Sequence, residues 1–239
     1  MTNHAILNPA DHGTLRVRTE AHAALGDNVT ACLVMPAEFR AAQAHYPIVF
    51  RRDAATGKLA AIALFGFDSG ENLFLTADGW DALYRPLALA VQPFLIGRAG
   101  ESDSAPQVHV DLAHPRIATD GEGVRVFDDQ GQPTPYLEAI AGKLGDLDYA
   151  YQAGDDFFAA LERYDLVEPF SLDVTLDNGS KQTLVGFQTI DENRLAALDG
   201  EALHGLMAAG HLSPIYMAVA SLSQFPALVA RKNALTARA

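Results

Sequence analysis

Among its 239 residues the chain has one cysteine, one tryptophan and few positive charges. With Cys32 alone, no disulfide forms within the chain, and zinc sites built on several cysteines are excluded. Cys32 lies in the apolar-leaning run Val29-Thr30-Ala31-Cys32-Leu33-Val34, with no His or Arg close in sequence to activate it. It reads as a buried structural thiol. Lys and Arg number 17 against 30 Asp and Glu, a net charge of −13. Such a surface repels phosphate backbones and anionic membranes, so no nucleic-acid partner is expected.

Several motifs are missing as well. The chain has no G-x-S-x-G and no phosphate-binding loop, and Gly121-Glu122-Gly123 lacks the third glycine of a dinucleotide loop. No cofactor is expected. The start, MTNHAILNPADHGTL, has neither the basic region nor the apolar core of a secretory signal. The longest apolar stretch, Pro214 to Ala230, is interrupted by Ser221, Ser223, Gln224 and Pro226. It falls short of the roughly 20 apolar residues that a bilayer crossing needs, so no membrane insertion is expected. These absences predict a soluble cytoplasmic protein.

What remains is ordinary globular composition, 49% apolar and 20% charged, enough to bury a sizeable core. A strand is expected at Val29–Val34, followed by a meander of Pro47–Arg52, Leu59–Phe67 and Asn72–Leu75. The run Leu59 to Phe65 is apolar at nearly every position, as in a central strand covered on both faces. Trp80–Val91 is expected to be helical, Pro93–Ile96 extended, and 99–106 a loop. Val108, Val110 and Leu112 alternate with His109 and Asp111 as in a half-buried strand.

Thr134-Pro135 predicts a helix start, with Leu137, Ile140, Ala141 and Leu144 on one face. A second helix is expected after Gly145-Asp146, running to Tyr164. Asp177-Asn178-Gly179-Ser180 predicts a hairpin between Phe170–Leu176 and Gln182–Gln188, because Asn-Gly tolerates the positive φ of primed turns. Helices opened by Asp199, Ser213-Pro214 and Ser223 then complete the chain. Strands in the first half and helices in the last third predict an α+β class in a single domain, 1–239.

Eight segments carry a resemblance: LNPADHGTLRV, MPAEFRAAQAHYPIVF, SGENLFLTADGW, YRP, QPF, FDDQGQPTPYL, YDLVEPFSLDVTLDNG and VGFQTIDENRLAALDGEALHGLMAAGHLSPIYMAVASL. In this order, from about Leu7 to Asn233, they resemble the bacterial SapC family, which is distinct from the transporter permease of the same label. The resemblance implies no common reaction. It implies an accessory role linked to outer-membrane uptake or to peptide- and tryptophan-modifying systems, by association alone. Similar sequences carry two adjacent arginines between the Tyr-x-Pro and the Pro-Phe, where this chain has Ala90 and Val91. An anion grip of that kind would here be lost or moved to Arg85 or Arg98.

Candidate chemistry is sparse. His109 and Asp111 share a strand face, with His114 nearby, and only His204 and His211 follow as later histidines. A solvated strand face explains them more simply than an iron site. Arg51-Arg52-Asp53 reads as a charged edge strand. Asp155-Asp156 reads as an exposed acidic helix start, with Glu162 further on. Asn72, Trp80, Tyr84, Tyr136 and Tyr216 are the candidate ligand-binding residues, since aromatic faces with polar tips suit peptide or sugar ligands. The expectation is a non-enzymatic accessory protein that binds a peptide-like ligand or a partner protein. The alternatives are an enzyme whose site forms around His109 and Asp111 only in the fold, and a surface-layer structural protein.

Overall fold

The computed structural model describes residues 3–97 and 106–237. Arg98 and the expected loop at 99–106, apart from Pro106, lie outside them. Helix makes up 38% and strand 25%, with antiparallel sheets and long helices in the C-terminal part, so the class is α+β. The chain forms two compact units: Met1–Asn28 with Leu75–Asp81 and Leu87–Tyr149, and Val29–Phe74 with Ala82–Pro86 and Ala150–Ala239.

The second unit is built on a five-stranded antiparallel sheet. Its order is Val167–Thr175, Lys181–Ile190, Ile48–Arg52, Leu59–Leu64 and Ala31–Leu33. The strand Leu59–Leu64 has neighbours on both sides and buries five of its six residues, as its unbroken apolar run requires. Ile48–Arg52 lies between two strands but meets Lys181–Ile190 only at Phe50 and Gln188, so Arg51 and Arg52 stand beyond that pairing. Arg52 pairs with Glu162 at 2.5 Å. The hairpin forms where Asn-Gly places it, but among residues 177–179 only Gly179 has positive φ, at 83°. Leu176 and Ser180 close the loop, with Leu176 N–H donating to the Ser180 carbonyl at 2.8 Å. It is a three-residue loop with one left-handed glycine rather than a two-residue primed turn.

In this unit Asp199 caps the helix Gly200–Ala208, accepting from Ala202 N–H at 2.8 Å. The next helix, Leu212–Ser221, follows His211 without a side-chain cap, so Ser213 lies inside it. A short 3-10 turn, Leu222–Gln224, leads into Phe225–Thr236, and Pro226 sits harmlessly in the first turn. Ser221, Ser223, Gln224 and Pro226 therefore do not interrupt the helical run Leu212–Thr236. By length and composition that run is long and apolar enough to cross a membrane, with mean hydropathy 1.3. Its buried stripe, Ile215, Ala218, Ser221, Phe225, Leu228 and Lys232, is part of this unit's interior. Ser221 serves the sheet directly, accepting from Ile48 N–H at 2.9 Å.

The first unit contains two small three-stranded sheets. One has the order His4–Ile6, Gln107–Asp111, Phe94–Gly97, and the other Ile117–Ala118, Arg16–Val17, Val124–Arg125. Val17, Val91, Phe94, Val110, Val126 and Phe127 pack with Leu137, Ile140 and Leu144 of the long helix.

That helix runs without a break from Pro135 to Arg163. The two helices expected around Gly145 are one, because a glycine costs a helix only about 1 kcal/mol and no proline intervenes. Trp80–Val91 is not one helix. Gly79–Trp80 pairs with Leu75–Thr76, and only Leu87–Ala90 is helical. Pro86 biases the residue before it away from helical geometry. Of the expected strand Asn72–Leu75, Leu75 alone enters a ladder.

Candidate functional site

In the second unit the long helix and the helix Gly200–Ala208 leave a crevice of about 260 Å³ between them. The long helix presents Asp156, Ala159, Ala160 and Arg163, spaced i, i+3, i+4, i+7 and so on one face. Gly205, Leu206 and Ala209 line the opposite wall, and Tyr164 and His211 complete the lining. Four of the nine lining residues are Gly or Ala, which is why the walls leave a recess instead of interlocking. A Cβ at Gly205 would stand 3.4 Å from the Tyr164 hydroxyl, in contact with the opposite wall. The His211 ring is fixed edge-on against Phe157, with centroids 5.8 Å apart.

The crevice is charged at its two ends. Seven residues of helix separate Asp156 from Arg163, about 10 Å along the axis. Among the described residues neither makes an ion pair, although their neighbours do: Asp155 with Lys58 at 3.6 Å, and Glu162 with Arg52. Arg163 stands 5.2 Å from the Tyr164 ring centroid. As a cation in the last helical turn it also offsets the helix dipole, an effect of about 0.3–1 kcal/mol. Asp156 has no such explanation. It lies deep inside the helix rather than at an acidic start, which corrects the expectation for Asp155-Asp156.

The residues singled out in the sequence lie elsewhere. Trp80 and Tyr136 belong to the first unit, where Tyr136 packs 6.3 Å from Phe94. Asn72, Tyr84 and Tyr216 belong to the second. The Asn72 side chain accepts from Phe74 N–H at 3.0 Å, and Tyr216 is half exposed on its helix. None of the five lines the crevice. The crevice was findable in the sequence only as a small-residue helical face bracketed by opposite charges, from Asp156 to Arg163. Its facing wall, 50 residues later, left no periodic signal that pairs the two.

Tyr84 anchors a polar network in the second unit. Its hydroxyl donates to Glu38 Oε1 at 2.6 Å, the other Glu38 oxygen accepts from Met35 N–H at 2.9 Å, and Tyr46 donates to the Tyr84 carbonyl. Burial, then the bond to Glu38 and its charge, push the Tyr84 phenol far above its usual range. Burial, with Glu38 beside it, lifts the Cys32 thiol to about 12, against a lowering influence from Arg85. These groups are held in their protonated forms, which suits anchoring the MPAEF and YRP segments and not nucleophilic chemistry.

The histidine cluster does not converge. Asp111 accepts from Asn3 and Ala113 N–H at 2.9 and 3.0 Å, bonds that hold its carboxyl below the usual range. The His109 ring lies over Gly97, where an added Cβ would fall 2.3 Å from Nε2. The His114 Nδ1 accepts from Arg116 N–H at 3.2 Å, and burial followed by the Arg116 charge lowers its pKa. No group of three or more His, Cys, Asp or Glu among the described residues could hold a metal ion.

A second recess, about 420 Å³, lies in the first unit and is lined mainly by Ile6, Leu7, Val108, Phe127 and Leu137. Glu138 is its lone ionisable group, so it lacks the paired charges of the crevice.

A family model described as SapC matches residues 7–228 of the chain. No curated protein and no solved structure matches it.

Proposed function

The chain belongs to the SapC family, and from that premise we propose that it is an accessory binding protein whose ligand is a short peptide-like molecule seated in the crevice between the long helix and Gly200–Ala208. One observation carries the reading: Asp156 and Arg163, opposite charges on one helix face and engaged in no ion pair among the described residues, bracket a recess floored by Gly and Ala. Small side chains let a ligand main chain come close to the helices. A hydroxyl at Tyr164 and a ring nitrogen at His211 can satisfy the N–H and C=O groups that a peptide presents. The volume of about 260 Å³ lies just below the usual range for ligand pockets, which favours a few residues over a large ligand.

Isothermal titration calorimetry against di-, tri- and tetrapeptides tests the reading. The expected result is binding by the wild type and a loss of at least tenfold in Gly205→Leu, whose side chain fills the recess. Leucine is a better helix former than glycine, so this variant keeps its helix, which circular dichroism verifies. No binding to the wild type, or undiminished binding to the filled variant, overturns it.

A further inference from the structure

Resting on that reading, we infer that the crevice reads both free ends of its ligand: the α-ammonium at Asp156 and the α-carboxylate at Arg163. The class is therefore a zwitterionic peptide of about two or three residues. Length follows from the spacing of the charges. Their offset of seven helical positions is a rise of about 10 Å, and an extended chain covers about 3.3–3.6 Å per residue. Two or three extended residues match that rise.

Direction follows from the chemistry of the ends. A guanidinium fork meets a carboxylate with two parallel N–H···O bonds, while the Asp156 carboxylate accepts from an ammonium. Reversing the ligand would put like charges together at each end. The floor of the crevice selects little, since Ala159, Ala160, Gly205 and Ala209 offer close approach without a pocket for one particular side chain. Sequence tolerance with strict recognition of the termini is the consequence. Peptides with both ends free are products of amide hydrolysis, so the reaction class that supplies this ligand is peptide-bond cleavage. Chains blocked by formylation, acylation or amidation bind more weakly.

The test uses the full-length protein and trialanine in four forms: free, N-acetylated, C-amidated, and capped at both ends. Wild type is compared with Asp156→Asn and Arg163→Gln, two surface substitutions that spare the core. Each cap is expected to weaken wild-type binding about tenfold. Acetylation should cost nothing further in Asp156→Asn, and amidation nothing further in Arg163→Gln, as a double-mutant cycle requires of a direct contact. Affinity should also fall with added salt. Equal binding of free and capped peptides, still abolished by Gly205→Leu, removes this inference and leaves the peptide-binding reading standing. Cap effects that persist undiminished in both variants also remove it, because other groups would then read the ends. Failure of all four forms to bind the wild type removes both.

Discussion

The Tyr84 hydroxyl donates to the Glu38 carboxylate at 2.6 Å, joining two residues 46 positions apart. Glu38 is only 5% exposed, so a carboxylate that leaves water there needs every bond it has. Tyr84→Phe keeps the ring and removes that donor. Hydrogen bonds to charged groups contribute about 1.5–3 kcal/mol, and the partial exposure of Tyr84 favours the lower part of the range. The variant should lose about 2 kcal/mol in urea denaturation. An unchanged midpoint would show that Glu38 does not depend on the bond.

Cys32 makes the protein sensitive to alkali. Its thiol is raised from an ordinary value near 9 to about 12, chiefly by burial. The folded state therefore holds a proton that the unfolded chain releases across that interval. The contribution is complete below pH 9 and declines as pH rises toward 12. Tyr84, raised from 10, acts in the same direction starting from a higher pH. Between pH 9 and 11 the wild type should lose stability more steeply than Cys32→Ala, and parallel curves for the two would refute the assignment.

Lys232 binds Asp68 at 2.6 Å and Glu71 at 2.5 Å, fastening the Asp68-Ser69-Gly70-Glu71 turn to the C-terminal helix. Burial works against its charge, but the hydrogen bonds to the two carboxylates outweigh it and the pKa rises. Next to it, Arg231 lies 4.3 Å from the Phe74 ring centroid, and Asn233 accepts from Asp177 N–H at 3.1 Å. Lys232→Met leaves Glu71 with a nearly buried charge and no cation. Removing one partner of a buried pair costs about 3–5 kcal/mol; with Asp68 half exposed, about 2–3 kcal/mol is expected. Thermal denaturation of Lys232→Met and of Lys232→Met with Glu71→Gln checks this, since the second change should restore part of the loss.

In the first unit Arg116 and Asp27 are almost completely buried and meet at 2.6 Å. The same guanidinium donates to the Arg18 and Glu20 carbonyls, each at 2.9 Å. A lysine keeps the charge but cannot fill that fork. Arg116→Lys loses fork hydrogen bonds rather than the ion pair and should cost about 2 kcal/mol, and guanidinium titration would expose the error if the loss were under 1 kcal/mol.

Local chemistry was legible. Asp199 caps its helix, the Asn178-Gly179 hairpin sits in place, and the apolar run from Leu59 makes a central strand. Errors arose where a distant partner overrides a local signal. Gly145 looked like a boundary, yet the helix passes through it because Leu137, Ile140 and Leu144 gain more from the core than the glycine loses. Trp80–Val91 reads as helical in the sequence, yet Tyr84 is drawn to Glu38 and Tyr46. Residue type marks Trp80, Tyr84, Tyr136 and Tyr216 as aromatic candidates but says nothing about where each one packs.

Periodicity and composition alone set the α+β class, the acidic charge and the lack of any disulfide within the chain, because these depend on neighbours within a few residues or on simple counts. Whether Asp156 faces a recess or a partner, which carboxylate Lys232 meets, and how Arg116 is buried were decided only by the fold. Such facts depend on which side chains meet across 50 to 160 residues, and pairwise contact at that range leaves no trace in a single sequence.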